Sequence, residues 1–503
     1  MNFGEQLKEN IKDIDTIYDL IAYCYCYMLK NISNHISFLG YYIYKNDKSK
    51  SNPNLEKLEL FSFQVKKFVS EGPLNLFDRD AQAPKLMDLI EDEENRLKKY
   101  RNTEENRATI PYFILKGLDL FLEDAEYVTY KKAPLNEHFR EKCLVYVNEK
   151  ETLMDQVAIR RNYPNLVLEN KIKYSFKNII IIDSREVPSN YGKPQVATLY
   201  KEKDELRKII QENKIKVVVI PTIKEQWFDF CYSGGACFHV EYHMEKLEQM
   251  KKRIIKLLTD AIDSGANIIV FPEYVCKEEI QFAISHILKE RSNEEPRKMS
   301  KLLLVVAGSG WTGESNNVCR IYGSDGTELG KMYKYSAYDN TDKNGNKMIE
   351  GLDKPGKEIT LVKIPGVGIC QIEICRDVSE NSFCLCLAKT FRPQFLLISA
   401  WSSSINIGFR EQLQSIAVNT HKTCAGIANC CAAIDSMRQE LGIVVAPQKD
   451  GSSVTGKCKY IERDLHACEQ ICEKGCFFEI CYDFNGDEKQ DIIVTTTIRN
   501  GLK

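Results

Sequence analysis

Three polar residues close apolar runs in the second half of this chain, and together their types make a set that can cleave an amide or a related bond. Glu273 follows Ile-Ile-Val-Phe-Pro, Lys334 closes Gly-Lys-Met-Tyr-Lys, and Cys375 closes Gln-Ile-Glu-Ile-Cys just before Arg376-Asp377. Each sits where a buried strand would end, and open α/β sheets tend to place ligands at carboxyl strand ends. A free thiol titrates near about 8.5, so it needs a neighbouring base or positive charge to act as a nucleophile at neutral pH. A carboxylate can take the thiol proton, and an ammonium can hold the negative oxygen of a tetrahedral intermediate. Taken one at a time, the three also read as a rim glutamate, a surface lysine and a buried thiol.

Two other residues compete for these roles. Cys370 lies in the same stretch as Cys375 but lacks the trailing x-Asp, and Lys331 lies three positions before Lys334. Residues three apart on a strand point to opposite faces, so only one of the two lysines can face the cysteine.

With these residues in place, the stretch from about Val217 to Phe484 resembles the nitrilase-like carbon–nitrogen hydrolase family. The likeness is carried by Phe271-Pro272-Glu273 after Gly265-Ala266, by Gly330-Lys331-Met332-Tyr333-Lys334, by Ile374-Cys375-Arg376-Asp377, and by Leu397-Ile398-Ser399-Ala400-Trp401. The resemblance implies an α-β-β-α sandwich and a Glu273, Lys334, Cys375 trio. It further implies that Glu350, which precedes Pro355-Gly356, positions the lysine, and that the protein forms a homodimer or larger homo-oligomer. Tyr274, Ser399 and Trp401 are candidates to line the substrate pocket. Many members of the family carry Arg-Phe-Pro-Glu after the nucleophile motif. Here Val378-Ser379-Glu380-Asn381-Ser382 stands instead, which alters the wall beside Cys375.

The elements that must hold these groups follow from hydrophobic patterning. Val217–Pro221, 266–271, 301–309, 394–400, 424–433 and 476–484 read as strands, and helical patterns cover 201–213, 241–264 and 278–289. Residues 318–334 and 359–375 read as hairpins, turning at Ser324-Asp325-Gly326 and Pro365-Gly366. Strands alternating with helices predict an α/β layer architecture. Residues 1–175 show helical periodicity and predict a mostly α-helical region without a chemical motif. The run 178–183 reads as a strand, and 176–213 as a strand and connecting segment before a hydrolase domain over 214–503.

Two clusters raise the question of metal. Trp227 to His243 reads as a long loop that covers the substrate, and Cys231, Cys237, His239 and His243 within it are possible zinc ligands. Their spacing fits no common zinc module, which favours aromatic packing with incidental thiols. The same holds for His466, Cys468, Cys472 and Cys476. The expected site is metal-free and needs no cofactor.

Composition sets the remaining bounds. A chain of 503 residues exceeds the usual single core, and 43 % hydrophobic with 28 % charged residues is ordinary for folded units. A net charge of −2, from 69 basic and 71 acidic residues, gives no overall drive toward nucleic acid. The polar opening, residues 1–13, does not read as a signal peptide, and no apolar run is long enough to span a membrane. Nineteen cysteines, several in close pairs, suit a reducing compartment better than a disulfide framework, so the expected location is the cytoplasm.

The expected function is hydrolysis of a non-peptide carbon–nitrogen bond in a small amide, carbamoyl or nitrile substrate, an amide before a nitrile. Glu273 would serve as base, Cys375 as nucleophile, and Lys334 with the backbone N–H of Arg376 as oxyanion holders. The alternative is a regulated effector or binding module, in which the helical N-terminal region senses a partner and gates or replaces hydrolysis.

Overall fold

The computed structural model describes residues 2–14, 16–31, 53–70, 82–98, 108–124, 143–147, 176, 179–183 and 194–222. Beyond these it describes 226–464 with short gaps, 476–484 and 493–500. The chain divides into two compact units, residues 1–150 with 160–187, and residues 188–503 with 151–159.

The first unit is helical, as its periodicity predicts, with helices Phe3–Asn10, Ile17–Asn31, Pro53–Ser70, Gln82–Lys98 and Thr109–Asp124. Asn2 and Glu5 form a capping box on the first, which satisfies two amide donors that a helix start leaves open. Gly117 lets the fifth helix press on the third, since a Cβ there would lie 2.6 Å from the Ser62 carbonyl. Strands β1 (Cys143–Val147) and β2 (Ile179–Asp183) pair antiparallel. Asp119 accepts from the Ile179 amide at 2.9 Å and so ties the fifth helix to β2.

The second unit is a sandwich of two seven-stranded sheets. Its strands are β3 (Pro194–Thr198), β4 (Lys214–Val219), β5 (Phe228–Tyr232), β6 (Cys237–Tyr242), β7 (Ile268–Val270), β8 (Leu304–Thr312), β9 (Asn316–Gly323) and β10 (Glu328–Tyr333). They continue as β11 (Asp339–Thr341), β12 (Lys347–Glu350), β13 (Ile359–Ile364), β14 (Gly368–Ile374), β15 (Phe395–Ala400), β16 (Cys424–Asn429), β17 (Arg438–Asp450), β18 (Ser453–Asp464), β19 (Cys476–Asp483) and β20 (Ile493–Asn500). One sheet runs β10-β9-β8-β7-β4-β19-β20 and the other β18-β17-β16-β15-β14-β13-β3.

The central strands β4, β7 and β8 are mutually parallel, as are β14, β15 and β16. Of these, β7 and the first four residues of β15 are continuous apolar runs buried on both faces, whereas β14 alternates through Gln371 and Glu373. Helices Leu247–Asp263 and Glu278–Glu294 cover the first sheet, and Ser382–Phe391 with Phe409–Thr420 cover the second. This is the expected α-β-β-α layering. Polar contacts among the described residues help to bolt the inner faces. Ser399 Oγ donates to the Phe271 carbonyl at 2.8 Å, and Tyr482 donates to the Ala425 carbonyl at 3.1 Å.

Three expectations need correction. The strand and connecting segment expected over 176–213 is divided between the units: β2 belongs to the first, while β3, where only connection was expected, pairs in parallel with β13 as an edge of the second sandwich sheet. The helix expected from 241 begins at Leu247, since Glu241 and Tyr242 end strand β6. Trp227 to His243 is not a loop: β5 and β6 form an antiparallel hairpin that joins β12 and β11 in a four-stranded sheet. Among the described residues, no helix is long and apolar enough to cross a membrane.

Candidate active site

The three strand ends named from the sequence converge. After β7 the chain passes through Phe271-Pro272 and places Glu273 at 1 % exposure. The turn is tight. Tyr274 takes φ +62°, and a Cβ on Gly308 of the neighbouring strand would lie 2.5 Å from the Pro272 carbonyl, so only glycine lets the strands approach here.

Lys334, one residue past β10, is 2 % exposed, and its amide donates to the Asn317 carbonyl at 2.9 Å. Its ammonium lies 2.7 Å from Glu273 Oε1 and 2.6 Å from Glu350 Oε2. Lys331 is half-exposed and its nearest carboxylate is Glu328 at 4.0 Å, so the strand register selects Lys334. Glu350 is held by the Tyr274 hydroxyl at 2.7 Å and by the Tyr338 amide at 3.0 Å.

Cys375 stands between β14 and the one-turn helix 376–379 with φ +46°, a left-handed conformation that costs an L-residue energy and presents the side chain at a sharp bend. Its amide donates to the Ser399 carbonyl at 2.9 Å, and its sulfur donates to the Trp401 carbonyl at 3.7 Å. The Trp401 amide in turn donates to Glu273 Oε2 at 3.1 Å. Cys370, by contrast, is sealed among the sheet residues and lines no part of the cavity.

A cavity of roughly 540 Å³ opens onto Glu273, Lys334 and Cys375. That volume suits a small molecule. Phe230, Phe238, Tyr274, Tyr338 and Trp401 supply aromatic wall, and Arg376 also lines the cavity. Arg376 lies over the Tyr338 ring and donates to the Asp339 carbonyl. Of the residues expected to line a pocket, Tyr274 and Trp401 do so. Ser399 does not: it is wholly buried and its hydroxyl is the bolt to Phe271.

The electrostatics are those of charges shut away from water. Burial pushes the Cys375 thiol well above its ordinary value, the Glu273 carboxylate pushes the same way, and the Lys334 ammonium opposes both. Burial also raises Glu273, against the pull of Lys334 and with the push of Glu350. For Lys334, burial works against the charge, but the Glu273 and Glu350 carboxylates outweigh it and hold the group above its usual value. Burial thus favours the uncharged thiol and makes the Glu273 carboxyl more basic, while the two carboxylates favour the Lys334 ammonium.

Residues not singled out from the sequence complete the arrangement. Asn317 donates to Glu273 at 2.8 Å and to Glu350 at 3.2 Å, spanning the two carboxylates. Asn316-Asn317 opens a strand whose only other charged or amide residue is Arg320, and that pair is the available signal. On the far side of β14, Glu373 accepts from Tyr335 and Gln371, each at 2.6 Å, and Asp377 accepts from the Tyr335 and Ser336 amides at 3.1 and 2.7 Å. Asp377 thus joins the segment after Lys334 to the bend at Cys375.

The four residues weighed as possible zinc ligands do not come together as one set. Cys231 and His239 approach each other with Glu241, whereas His243 pairs with Asp229 at 2.9 Å. His466, Cys468 and Cys472 lie outside the described residues.

Among solved structures, the chain is similar to Saccharomyces cerevisiae Nit3, a member of branch 10 of the nitrilase superfamily. The identity is 15 %, the match covers 52 % of this chain and 93 % of that one, and the TM-score is 0.31. It is also similar to the C. elegans NitFhit protein, at 16 % identity over 52 % of this chain and 63 % of that one, with a TM-score of 0.31. An amidase from Nesterenkonia sp. matches at 12 % identity over 50 % of this chain and 90 % of that one, with a TM-score of 0.32. No protein-family model and no curated protein matches the chain. The functional reading therefore rests on side-chain geometry.

Proposed function

We propose that residues 188–503 hydrolyse a non-peptide carbon–nitrogen bond of a small amide-type substrate through a Cys375 acyl-enzyme. The observation that carries this reading is the burial of a thiol, an ammonium and a carboxylate around one cavity, with Lys334 Nζ 2.7 Å from Glu273. A purely structural core has no need of an ammonium at 2 % exposure.

In the proposed reaction the substrate carbonyl enters between Cys375 and Lys334. Glu273 takes the thiol proton as the sulfur attacks carbon, so a C–S bond forms and the carbonyl π pair moves to oxygen. The Lys334 ammonium and the Arg376 backbone N–H hold that oxyanion. Collapse breaks the C–N bond, and the proton on Glu273 passes to nitrogen, so ammonia or an amine leaves. Glu273 then takes a proton from water, which attacks the thioester and releases the acid with the free thiol. Glu350, Asn317 and Tyr274 hold the lysine and the base in place. An amide, ureido or carbamoyl group fits this scheme better than a nitrile, since departure of an amine uses the proton that Glu273 has stored.

Intact mass spectrometry after incubation with small amides and nitriles tests the reading. The expected result is an acyl adduct on Cys375 that turns over in the native chain and is absent from Cys375→Ala. Amide hydrolysis that persists in Cys375→Ala would remove the nucleophile assignment.

A further inference from the structure

The β5–β6 hairpin sorts its side chains by face. Phe228, Phe230 and Phe238 pack in one aromatic cluster with Tyr242, and Phe230 and Phe238 line the cavity. The alternate positions point the other way, because successive strand side chains leave opposite faces. They carry Asp229 and Cys231 on one strand, and His239 and Glu241 on the other.

Cys231 and His239 are directly opposed partners across the hairpin, and Glu241 follows two residues later on the same face. One ligand atom from each lies within 4.8 Å of the others, and His239 Nε2 is already 3.0 Å from Glu241 Oε1. A four-coordinate zinc ion holds sulfur, nitrogen and oxygen ligands about 3.5 Å apart, so closing the triad asks for side-chain rotation and no backbone change. Among the described residues this is the grouping of ligand atoms that comes so close.

We propose that Cys231, His239 and Glu241 form a binding site for a zinc-class divalent ion on the outer face of the hairpin that walls the cavity. Thiolate, imidazole and carboxylate are the donor types such an ion prefers, and water completes the tetrahedron. On binding, Cys231 gives its thiol proton to solvent and His239 binds through the Nε2 lone pair, its proton residing on Nδ1. The Glu241 carboxylate oxygen turns from the imidazole to the ion. Because the ligands point away from Cys375, the ion takes no part in bond breaking. It cross-links β5 to β6 behind Phe230 and Phe238 and so stiffens the wall against which a substrate would pack. This departs from the expectation of aromatic packing with incidental thiols, which describes only the inner face.

The test uses the full chain, stripped of metal with a chelator and titrated with Co²⁺. A single equivalent should produce a thiolate-to-cobalt charge-transfer band and the visible spectrum of tetrahedral cobalt, both displaced by Zn²⁺. Cys231→Ser should abolish the band. His239→Ala and Glu241→Gln should weaken binding at least about tenfold, a loss that even outer contacts to a metal can cause. Cys237→Ser, which removes the neighbouring exposed thiol, should leave the titration unchanged. A full chain that gives no such band, or a band that survives Cys231→Ser, would overturn the site. The readout is independent of hydrolysis, so it stands apart from the catalytic reading.

Discussion

Lys334 and Glu350 meet at 2.6 Å with their side chains 1 % and 0 % exposed, so the ammonium and its positioning carboxylate form a salt bridge wholly out of water. The same ammonium serves Glu273 at 2.7 Å, which sets one positive group between two acidic ones. Such an arrangement holds only while the cation is present. Replacing Lys334 with Ala leaves two carboxylates facing each other in the dark interior, and loss of one partner of a buried pair costs about 3–5 kcal/mol. Lys334→Ala should therefore lower the melting temperature by many degrees as well as abolish acylation. Glu350→Gln keeps an oxygen for the Tyr274 hydroxyl but turns an NH2 donor toward the Lys334 ammonium and the Tyr338 amide, so it should slow acylation and also lower the melting temperature, though by less than Lys334→Ala because Glu273 still pairs the ammonium. Thermal unfolding followed by calorimetry separates the two, and a Lys334→Ala protein as stable as the native one would mean that the ammonium is not paired as described.

The bend at Cys375 supplies a second prediction. Its φ of +46° is a conformation that glycine adopts freely and that costs other L-residues about 1–2 kcal/mol. Both Cys375→Ala and Cys375→Gly remove the sulfur, so neither should form an acyl adduct. They should differ in stability, with the glycine variant regaining part of the strain and unfolding at higher denaturant by about 1 kcal/mol. Equal midpoints for the two variants in a urea titration would show that no strain is stored there.

Much of this site was legible because a carboxylate, an ammonium and a thiol at three strand ends make a chemical set, although each alone also reads as a rim glutamate, a surface lysine or a buried thiol. Glu273, Lys334 and Cys375 were visible on that ground, and strand parity already required a choice between Lys331 and Lys334. What parity could not supply was the face, which depends on the bend after β10. Asn317 escaped notice because an asparagine next to another at a strand start also reads as a turn. The hairpin at 228–242 reads as a loop from sequence because its Ser-Gly-Gly centre outweighs the alternation present in Phe-Asp-Phe-Cys-Tyr and Phe-His-Val-Glu-Tyr. Strand β3 was invisible as a sheet member because its partner β13 lies about 160 residues onward, beyond the reach of local pattern.

Ser399 gives a third prediction, opposite to the role expected from its position beside Ala400-Trp401. Its hydroxyl joins the two sheets through the Phe271 carbonyl, two residues before Glu273. Ser399→Ala leaves that buried carbonyl with one fewer donor, at a cost of about 1–3 kcal/mol. The midpoint of urea unfolding should fall accordingly. Substrate preference across an amide series should stay the same, because the side chain touches no part of the cavity. A shifted preference with unchanged stability would return Ser399 to the pocket wall.

Glu373 provides a pH-dependent signature separate from catalysis. Burial lifts its carboxyl from 4.5 to about 7, against the hydrogen bonds from Tyr335 and Gln371 that favour the charged form. The folded protein therefore holds this proton at pH values where the unfolded chain has released it. Its contribution to stability is whole below about 4.5 and is lost as pH rises to about 7, since the folded state binds more protons across that window. Burial raises Glu273 and Asp377 as well, so they add slope of the same sign. Glu373→Gln removes one of these titrations and keeps a neutral partner for Tyr335. Urea unfolding at intervals from pH 5 to 8 should show a shallower fall in stability for the variant than for the native chain. Parallel curves would mean that Glu373 is charged in the folded protein throughout this range.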